Sequence, residues 1–270
     1  SKWRRCMDKE QLTRDMRWEI AAALAEERLD KVNQITNKIT FKKTIYSCCI
    51  KRIIDILVSV LALIITLPIN VIIGIITYFD VGRPIFFKQI RVGRNGKEFQ
   101  IVKFRNMKNT RDKNGDLLPP SQRVTKFGKF VRKTSLDELL NFWCILKGDM
   151  SLFGPRPLGP EYIDRYSERH KQRLLVRPGL ECPPRKHDGK VWTWQEQFEN
   201  DVWYVEHVSF ITDCKMFINL IRFALDKKSA NARALSSRGI FMGYGDDGCA
   251  ITLEEIPQEY VDKVLSNSLK

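Results

Sequence analysis

One long apolar run dominates the pattern of hydrophobic and polar positions along the chain. No charged residue occurs between positions 56 and 79, in ILVSVLALIITLPINVIIGIITYF. An uncharged run of about 18 residues or more predicts a membrane helix, since a buried helix of a soluble protein seldom stays apolar on every face. We therefore expect this segment to contact a bilayer, with a fully buried core helix as the alternative.

The run carries a proline near its middle and basic residues at both ends. Pro68 removes a backbone hydrogen bond, which predicts a break in the helix. Lysine and arginine favour the cytoplasmic side of a membrane. They flank the run on both sides, at Lys42, Lys43, Lys51, Arg52, Arg83, Lys88, Arg91, Arg94 and Lys97. A re-entrant helix that breaks at Pro68 and returns to the same face satisfies both flanks, whereas a kinked transmembrane span leaves one flank on the opposite side.

Three other patterns predict elements outside the apolar run. Residues 8–34 combine helix formers with charges and contain neither Gly nor Pro, which predicts an amphipathic helix that packs on the protein or on a partner. Two β-rich stretches on either side of Asn95-Gly96 predict a hairpin. Residues 207–225 predict an amphipathic helix that lies in the core or in the membrane interface.

The composition narrows the kinds of partner. The chain has 270 residues, with 46 Lys and Arg against 32 Asp and Glu, a net charge of +14. Such a field favours anionic partners such as nucleic acid, acidic lipids or phosphorylated substrates. The seven cysteines are odd in number and form no C-x-x-C pair, which argues against a zinc site and a disulfide framework and fits a reducing compartment.

Asp137 and Glu138 stand side by side in KTSLDELLNF, and this stretch has two interpretations. Ser135 followed by Glu138 three residues later matches a capping box, and acids suit the positive end of a helix. For the stretch alone this structural interpretation is favoured. Alternatively, neighbouring carboxylates on a helix point about 100° apart, so that one can attack a substrate while the other holds Mg²⁺.

A set of cations on both sides of this pair could bind an anionic substrate. Its members are Lys103, Arg105, Arg132, Lys133, Arg156 and Arg177, although each taken singly is typical of a solvated surface charge. Arg156 is the most specific of them, because Pro155 and Pro157 restrict its backbone and lower the entropy cost of a phosphate contact.

Together these motifs resemble the bacterial sugar transferases, the monotopic phosphoglycosyl transferases that start glycan assembly on a polyprenyl phosphate. The similarity covers about residues 50–225 and rests on five stretches in a set order. They are K-R-x-x-D at 51–55, KFRNM at 103–107, SLDELLNFWCILKGDMSLFGPRPL at 135–158, RPGL at 177–180 and DVWYV at 201–205.

The resemblance implies a fold that is mixed α/β and mainly helical, in a monotopic membrane protein with a re-entrant membrane helix, interfacial amphipathic helices and a small β-hairpin. It would divide the chain into an N-terminal helical extension (1–45), a membrane-inserted helix (46–82), a catalytic domain (83–226) and a C-terminal appendage (227–270). The expected location is the cytoplasmic face of the bacterial inner membrane.

The resemblance also implies roles for single residues. Asp137 would attack the sugar-bearing phosphate of a nucleotide-diphosphate sugar and then pass the phosphosugar to polyprenyl phosphate. Glu138 would hold Mg²⁺, and Lys103, Arg105, Arg132, Arg156 and Arg177 would bind substrate phosphates. This would be the first membrane step in making an exopolysaccharide, an O-antigen or a glycoprotein glycan. The expected partners are the bilayer and the two substrates, without nucleic acid, and a homo-oligomer is left open.

The sequence departs from the family after RPG, where an I-T-G-W-A-Q-like stretch is usual. Here the chain has Leu180–His187, with a Pro-Pro pair and the cations Arg185 and Lys186, which we interpret as a nucleotide-sugar loop. Two alternatives to an active transferase remain open. One is a basic, membrane-tethered binding protein in which the acidic pair only caps a helix, and the other is a scaffold of the same fold that has lost turnover.

Overall fold

The structure, a computed structural model, describes residues 9, 12–113, 115, 117–183, 192–225 and 239–268. The helices within this part are α1 Arg14–Ile35, α2 Lys51–Val81, α3 Pro120–Arg123, α4 Lys126–Lys133, α5 Asn141–Lys147, α6 Glu168–Lys171, α7 Trp194–Glu206, α8 Phe210–Leu225 and α9 Gln258–Ser268. The strands are β1 Phe86–Val92, β2 Glu98–Phe104, β3 Ser151–Phe153, β4 Gly179–Glu181, β5 Phe241–Tyr244 and β6 Ala250–Thr252. Helices predominate, as the fold class predicts, and each of the sheets has two strands.

The apolar run forms helix α2, which is long and apolar enough to cross a membrane. Its 31 residues would extend about 46 Å if straight. Only 11% of its most apolar window is buried in the protein, so it is not the core helix of a soluble domain. Pro68 lies inside this helix and does not end it, which corrects the predicted break. The reason is that a proline removes its own N–H donor, while the hydrogen bonds on both sides can continue.

The first turns of α2 are bound to the folded domain by charged side chains. Lys51 forms an ion pair with Asp213 of α8 at 2.5 Å. The guanidinium of Arg52 donates to the carbonyl oxygens of Ile145 and Leu146, which lie in the last turn of α5. These contacts satisfy carbonyl groups that a helix end leaves without intrahelical partners.

The last turn of α2 is bound to the same domain. Asp80 accepts a hydrogen bond from Thr125 at 2.5 Å, and Arg105 donates to the carbonyl oxygens of Val81 and Pro84. Both ends of the apolar helix therefore contact one folded unit.

The predicted hairpin is confirmed. Strands β1 and β2 pair antiparallel from Phe86 opposite Phe104 to Val92 opposite Glu98. The turn between them needs left-handed backbone, with φ of 58° at Asn95 and 78° at Gly96, which explains the Asn-Gly signal in the sequence.

The N-terminal helix and the C-terminal segment pack on each other. Ile20 and Leu24 of α1 are buried against Met242 of β5 and Val261 of α9. The helix predicted over 8–34 is thus confirmed from Arg14 to Ile35, and it packs on the protein itself. The domain boundaries at 45 and 226 stay a prediction.

Helix α8, predicted over 207–225, is also confirmed, from Phe210 to Leu225. One face of it is buried through Met216 and joined to α7 through Asp213, which accepts from Tyr204 at 2.6 Å. Its other face exposes large apolar side chains, namely Phe210, Ile211, Phe217, Ile218 and Ile221. Exposed apolar side chains of this number on one helix fit the predicted position in a membrane interface.

Candidate active site

The Asp137-Glu138 pair lies in a short turn that does not cap a helix. Ser135 has a left-handed backbone, with φ of 56°, and its side chain makes no capping hydrogen bond. Residues Leu136–Glu138 form one 3₁₀ turn, and the next helix begins only at Asn141. The capping-box interpretation is therefore wrong. A capping box does form at Thr193 and Glu196, where the backbone before the helix is extended.

The pair faces a cleft of about 660 Å³ between the hairpin, the Leu136–Glu138 turn and Arg156. Six cations line this cleft, against two carboxylates. The cations are Arg91, Lys103, Arg105, Arg123, Arg132 and Arg156. Such an excess of positive charge in a concave site is suited to an anionic ligand that carries several negative charges. We refer to this site below as the cleft.

Asp137 is almost completely buried, with 6% of its surface exposed. Its Oδ2 accepts a hydrogen bond from Asn106 Nδ2 at 3.3 Å. Burial, followed by the neighbouring charge of Glu138, raises the pKa of Asp137 above its ordinary value. A carboxylate held in one orientation and poorly solvated is better suited to attack an electrophile than one in bulk water.

Glu138 has the opposite environment. Its Oε1 contacts Lys103 Nζ at 2.5 Å and Arg156 Nη2 at 2.8 Å. Burial by itself would raise the pKa of Glu138, but the charges of Arg156 and Lys103 and their hydrogen bonds outweigh it, and the pKa is lowered. Two adjacent carboxylates whose pKa values are moved apart by their surroundings commonly serve different roles in one site.

Arg156 is positioned by the backbone around it, as its flanking prolines suggested. Its carbonyl oxygen accepts from Arg173 Nη2 at 2.8 Å, and the carbonyl of Pro155 accepts from the amide of Gly179 at 3.0 Å. A Cβ atom at Gly154 would lie 2.5 Å from the carbonyl oxygen of Arg177, so only glycine fits this crossing. The turn is therefore rigid where it presents Arg156 to Glu138.

The structure brings four of the five predicted phosphate-binding residues to the cleft. Lys103, Arg132 and Arg156 line it directly. Arg105 also lines it, but its guanidinium holds the end of α2 and donates as well to the carbonyl of Met107. The Arg105 side chain therefore stabilises the fold through these backbone contacts as well as lining the cleft.

Arg177 is placed elsewhere. Its Nε donates to the carbonyl oxygen of Gly148, and it faces a separate depression that Asp55 and Arg94 also line. Arg185 and Lys186 lie outside the described residues, so the nucleotide-sugar loop stays a prediction. Residues 193–204, which are rich in aromatic side chains, are largely core, because Trp194, Phe198 and Tyr204 are buried.

Sequence reasoning missed several residues of the cleft. Gln89 and Arg91 reach it from β1, Arg123 from α3, and Asn106 from the segment after β2. For the first two a signal exists, since alternate residues of a strand share a face and Phe87, Gln89 and Arg91 follow that alternation. Arg123 ends a helix of four residues and Asn106 lies in an irregular segment, so neither belongs to an element long enough for periodicity to indicate direction.

The two carboxylates of the cleft fit a magnesium ion that a bound phosphate also contacts. No group of three or more metal-ligating side chains occurs in the part of the chain that the structure describes. Mg²⁺ is usually held by one or two carboxylates together with substrate phosphates and water, and two neighbouring carboxylates in a cationic cleft suit that mode. Asp137 and Glu138 therefore fit the ion only together with a phosphorylated ligand.

Comparison with known proteins identifies the family that the chain resembles. The profile of the bacterial sugar transferase family matches residues 46–227. An uncharacterized sugar transferase of Bacillus subtilis (strain 168), EpsL, is 40% identical over 166 residues, which cover 62% of this chain and 82% of that protein.

Two other relatives carry more specific names. A putative undecaprenyl-phosphate N-acetylgalactosaminyl 1-phosphate transferase of the same Bacillus strain is 37% identical over 50% of this chain and 76% of its own length. A UDP-N-acetylgalactosamine-undecaprenyl-phosphate N-acetylgalactosaminephosphotransferase of Aeromonas hydrophila is 32% identical over 65% of this chain, but the match spans only 44% of that longer protein.

Proposed function

Because the chain belongs to the bacterial sugar transferase family, we propose that it moves a sugar 1-phosphate from a nucleotide-diphosphate sugar to polyprenyl phosphate. The family confirms the predicted enzyme class, that of a phosphoglycosyl transferase. It also disfavours the alternative of a binding protein without catalysis. The transferred sugar, the nucleotide and the lipid are part of the proposal.

One observation carries the proposal: the buried Asp137 and the half-buried Glu138 lie side by side in a cationic cleft and do not cap a helix. A surface cap would be exposed and aligned with the helix axis. A nucleophile for a diphosphate needs an oriented carboxylate, a second acidic group and a surplus of cations, because an anion must approach an anion.

The proposed reaction has two steps at Asp137. A carboxylate oxygen attacks the phosphorus that carries the sugar, a bond forms between them, and the bond from that phosphorus to the bridging oxygen breaks, which releases a nucleoside monophosphate. A phosphate oxygen of the polyprenyl phosphate then attacks the same phosphorus. This second displacement frees the carboxylate and leaves a sugar diphosphate on the lipid.

The residues around Asp137 have separate parts in these steps. Asn106 orients its carboxylate through Oδ2. Lys103 and Arg156 hold Glu138 ionised and would share the charge of the leaving phosphate. Glu138 would hold the Mg²⁺ ion, which when bound offsets negative charge on the phosphate oxygens.

The position of the enzyme on a membrane is also part of the proposal. Both ends of α2 contact one folded unit, through Lys51 and Arg52 at the start and Asp80 at the end. A polar domain does not extend across the hydrocarbon layer. We infer that α2 bends at Pro68, without ending there, and enters and leaves at one face, the cytoplasmic face of the bacterial inner membrane, so that the cleft meets lipid and water-soluble substrates together.

Labelling tests this topology. Single cysteines placed near Lys51 and near Lys88, in an otherwise cysteine-free protein in intact cells, should both resist an impermeant reagent added from outside. Labelling of one position but not the other would show a plain transmembrane span.

The reaction is tested with a panel of nucleotide sugars, starting with the UDP-sugars that the relatives' names suggest. With polyprenyl phosphate and Mg²⁺ present, one member should yield a nucleoside monophosphate. Without the lipid, intact-mass measurement should find the protein heavier by one phosphosugar, and Asp137→Asn should not gain that mass. Release of nucleoside monophosphate only in the presence of the lipid, with no increase in the mass of the protein, would contradict the aspartyl intermediate.

A further inference from the structure

Arg91 is a cation in the cleft that forms no ion pair among the described residues. Its Nη2 donates to Gln89 Oε1 at 2.8 Å, and its Nε is buried without a hydrogen-bond partner. None of the ion pairs among the described residues includes Arg91, whereas Lys103 and Arg156 both contact Glu138. A partly buried guanidinium without an anionic partner costs free energy, and an anion bound from outside would offset that cost.

The surroundings of Arg91 strengthen this need. Burial, followed by the positive charge of Arg156, lowers the pKa of Arg91, and the more distant charges of Glu161 and Glu138 offset this only in part. Arg156 itself is shared between Glu138 and Glu181, at 2.8 Å and 3.3 Å. Two neighbouring guanidinium groups, one of them unpaired, present the planar forks that bind phosphate oxygens in a bidentate manner.

The place of Arg91 in the cleft indicates which anion it meets. Strand β1 begins at Phe86, just after α2 ends, and Arg91 lies five residues further along, which is about 16 Å in an extended strand. Arg105, bound to the end of α2, marks the opposite and membrane-proximal end of the cleft. A lipid phosphate reaches the cleft from the membrane-proximal end, and a water-soluble anion reaches it from the end at Arg91.

We propose that Arg91 binds the diphosphate of the nucleotide-sugar donor, and that Gln89 is a positioning residue that orients its guanidinium. This inference deepens the proposed function and rests on it. It divides the cleft into a donor end at Arg91 and Arg156 and a lipid end at Arg105, with Asp137 reachable from both.

The test uses the full-length protein in detergent with four variants: Arg91→Lys, Arg91→Ala, Gln89→Ala and, as a control, Arg94→Ala. Arg94 is an arginine three residues further along the same hairpin, and it faces the separate depression. Equilibrium binding of UDP is measured first. KM values for polyprenyl phosphate and for a UDP-sugar that the wild type turns over follow, with a melting temperature for each variant.

Loss of a charge-assisted contact should raise the Kd for UDP about ten- to a hundredfold in Arg91→Ala, with a parallel rise in the donor KM. Arg91→Lys should also bind UDP more weakly, because a lysine keeps the charge but not the fork. Gln89→Ala should shift both values in the same direction by less. Arg94→Ala should match the wild type, and the KM for polyprenyl phosphate should stay constant in all four.

Three results would overturn the inference. An active wild type with an unchanged Kd for UDP in Arg91→Ala would show that Arg91 does not touch the donor. A lower melting temperature and kcat without a rise in the donor KM would show that Arg91 only supports the hairpin. A wild type that releases no nucleoside monophosphate and binds no UDP would refute the proposed function, and this inference with it.

Discussion

Two clusters of charged side chains in the described part of the chain differ in how their charges are balanced. The cleft around Asp137 has six cations and two carboxylates. A second cluster, which we refer to as the buried network, has two arginines against two carboxylates, in the half-buried pair Arg169–Glu199 and the buried pair Arg173–Asp201. Both clusters are built from the same residue types.

The buried network is saturated by its own members. Both side chains of the Arg173–Asp201 pair are almost fully buried, at 2% and 0% exposed, and their contacts are 2.7 and 3.0 Å. Glu199 also contacts His170 Nε2 at 3.0 Å, and His170 Nδ1 contacts the hydroxyl of Tyr244 in β5. The network therefore joins the part of the chain that matches the family to β5 in the C-terminal segment, and its charges are paired within the protein.

The difference shows how a binding site can be told from a scaffold made of similar residues. Buried charges are tolerated where each has a partner, and a lasting excess of one sign requires an external partner. The network is complete within the protein, whereas the cleft has an excess of cations that the proposed anionic substrates would balance. Substitutions in the two clusters should accordingly affect different measurements, stability in the network and turnover in the cleft.

Asp137→Asn should produce the largest effect. Asn keeps the size of the side chain and the contact with Asn106 but is not a nucleophile toward phosphorus, so turnover should fall by at least about a thousandfold. The free energy of unfolding should change by less than about 1 kcal/mol. Nucleoside monophosphate release and denaturant unfolding measure the two quantities. Activity near that of the wild type would remove Asp137 from the mechanism.

Asp201→Asn is the counterpart in the buried network. It leaves the guanidinium of Arg173 buried without an anion, which should lower the free energy of unfolding by about 3–5 kcal/mol. Denaturant unfolding in detergent measures this loss. A matched control is Glu168→Gln, whose ion pair with Lys38 is exposed and should contribute less than about 1 kcal/mol. Equal unfolding curves for both variants would mean that the network is not structural.

Glu138→Gln should act on the response to Mg²⁺. If Glu138 holds the ion, loss of its charge should shift the Mg²⁺ midpoint of turnover upward by about ten- to a hundredfold. Glu181→Gln is the control, because Glu181 also contacts Arg156 but does not line the cleft. An unchanged Mg²⁺ midpoint in Glu138→Gln would assign Glu138 only to the positioning of Arg156 and Lys103.

The smallest effect should be a change in acid sensitivity in Glu199→Gln. Burial would raise the pKa of Glu199, but hydrogen bonds and charges from Arg169 and His170 outweigh it and lower the pKa from 4.5 to about 2. A carboxylate with a lowered folded-state pKa stabilises the fold above 4.5, and this stabilisation is lost as the pH falls towards about 2.

The wild-type melting temperature should therefore fall through that pH range more steeply than that of Glu199→Gln. Thermal unfolding at a series of pH values measures the two slopes. Parallel slopes would show that the pairing of Glu199 in the network does not depend on its charge.

Local pattern was sufficient for most of the fold. The apolar run, the Asn95-Gly96 hairpin and the helices near both ends of the match were predicted because periodicity and turn chemistry act between neighbours in sequence. The pairing of α1 with β5 and α9 was not predictable, since residues over two hundred positions apart meet there through packing alone. Pro68 was misjudged because the sequence indicates the lost hydrogen bond but not whether the helix continues beyond it.

The sequence by itself determined the family, the long apolar helix and the acidic pair, since each is a contiguous or regularly spaced set of residues. Tertiary structure decided where the acidic pair lies, because the left-handed backbone at Ser135 turns it away from a helix cap and into the cleft. It also decided which cations line the cleft, because Arg91 and Arg123 do so and Arg177 does not. The charges of β1, α3 and the Arg156 turn come together because segments far apart in sequence pack on one another. No local pattern of the sequence indicates that packing.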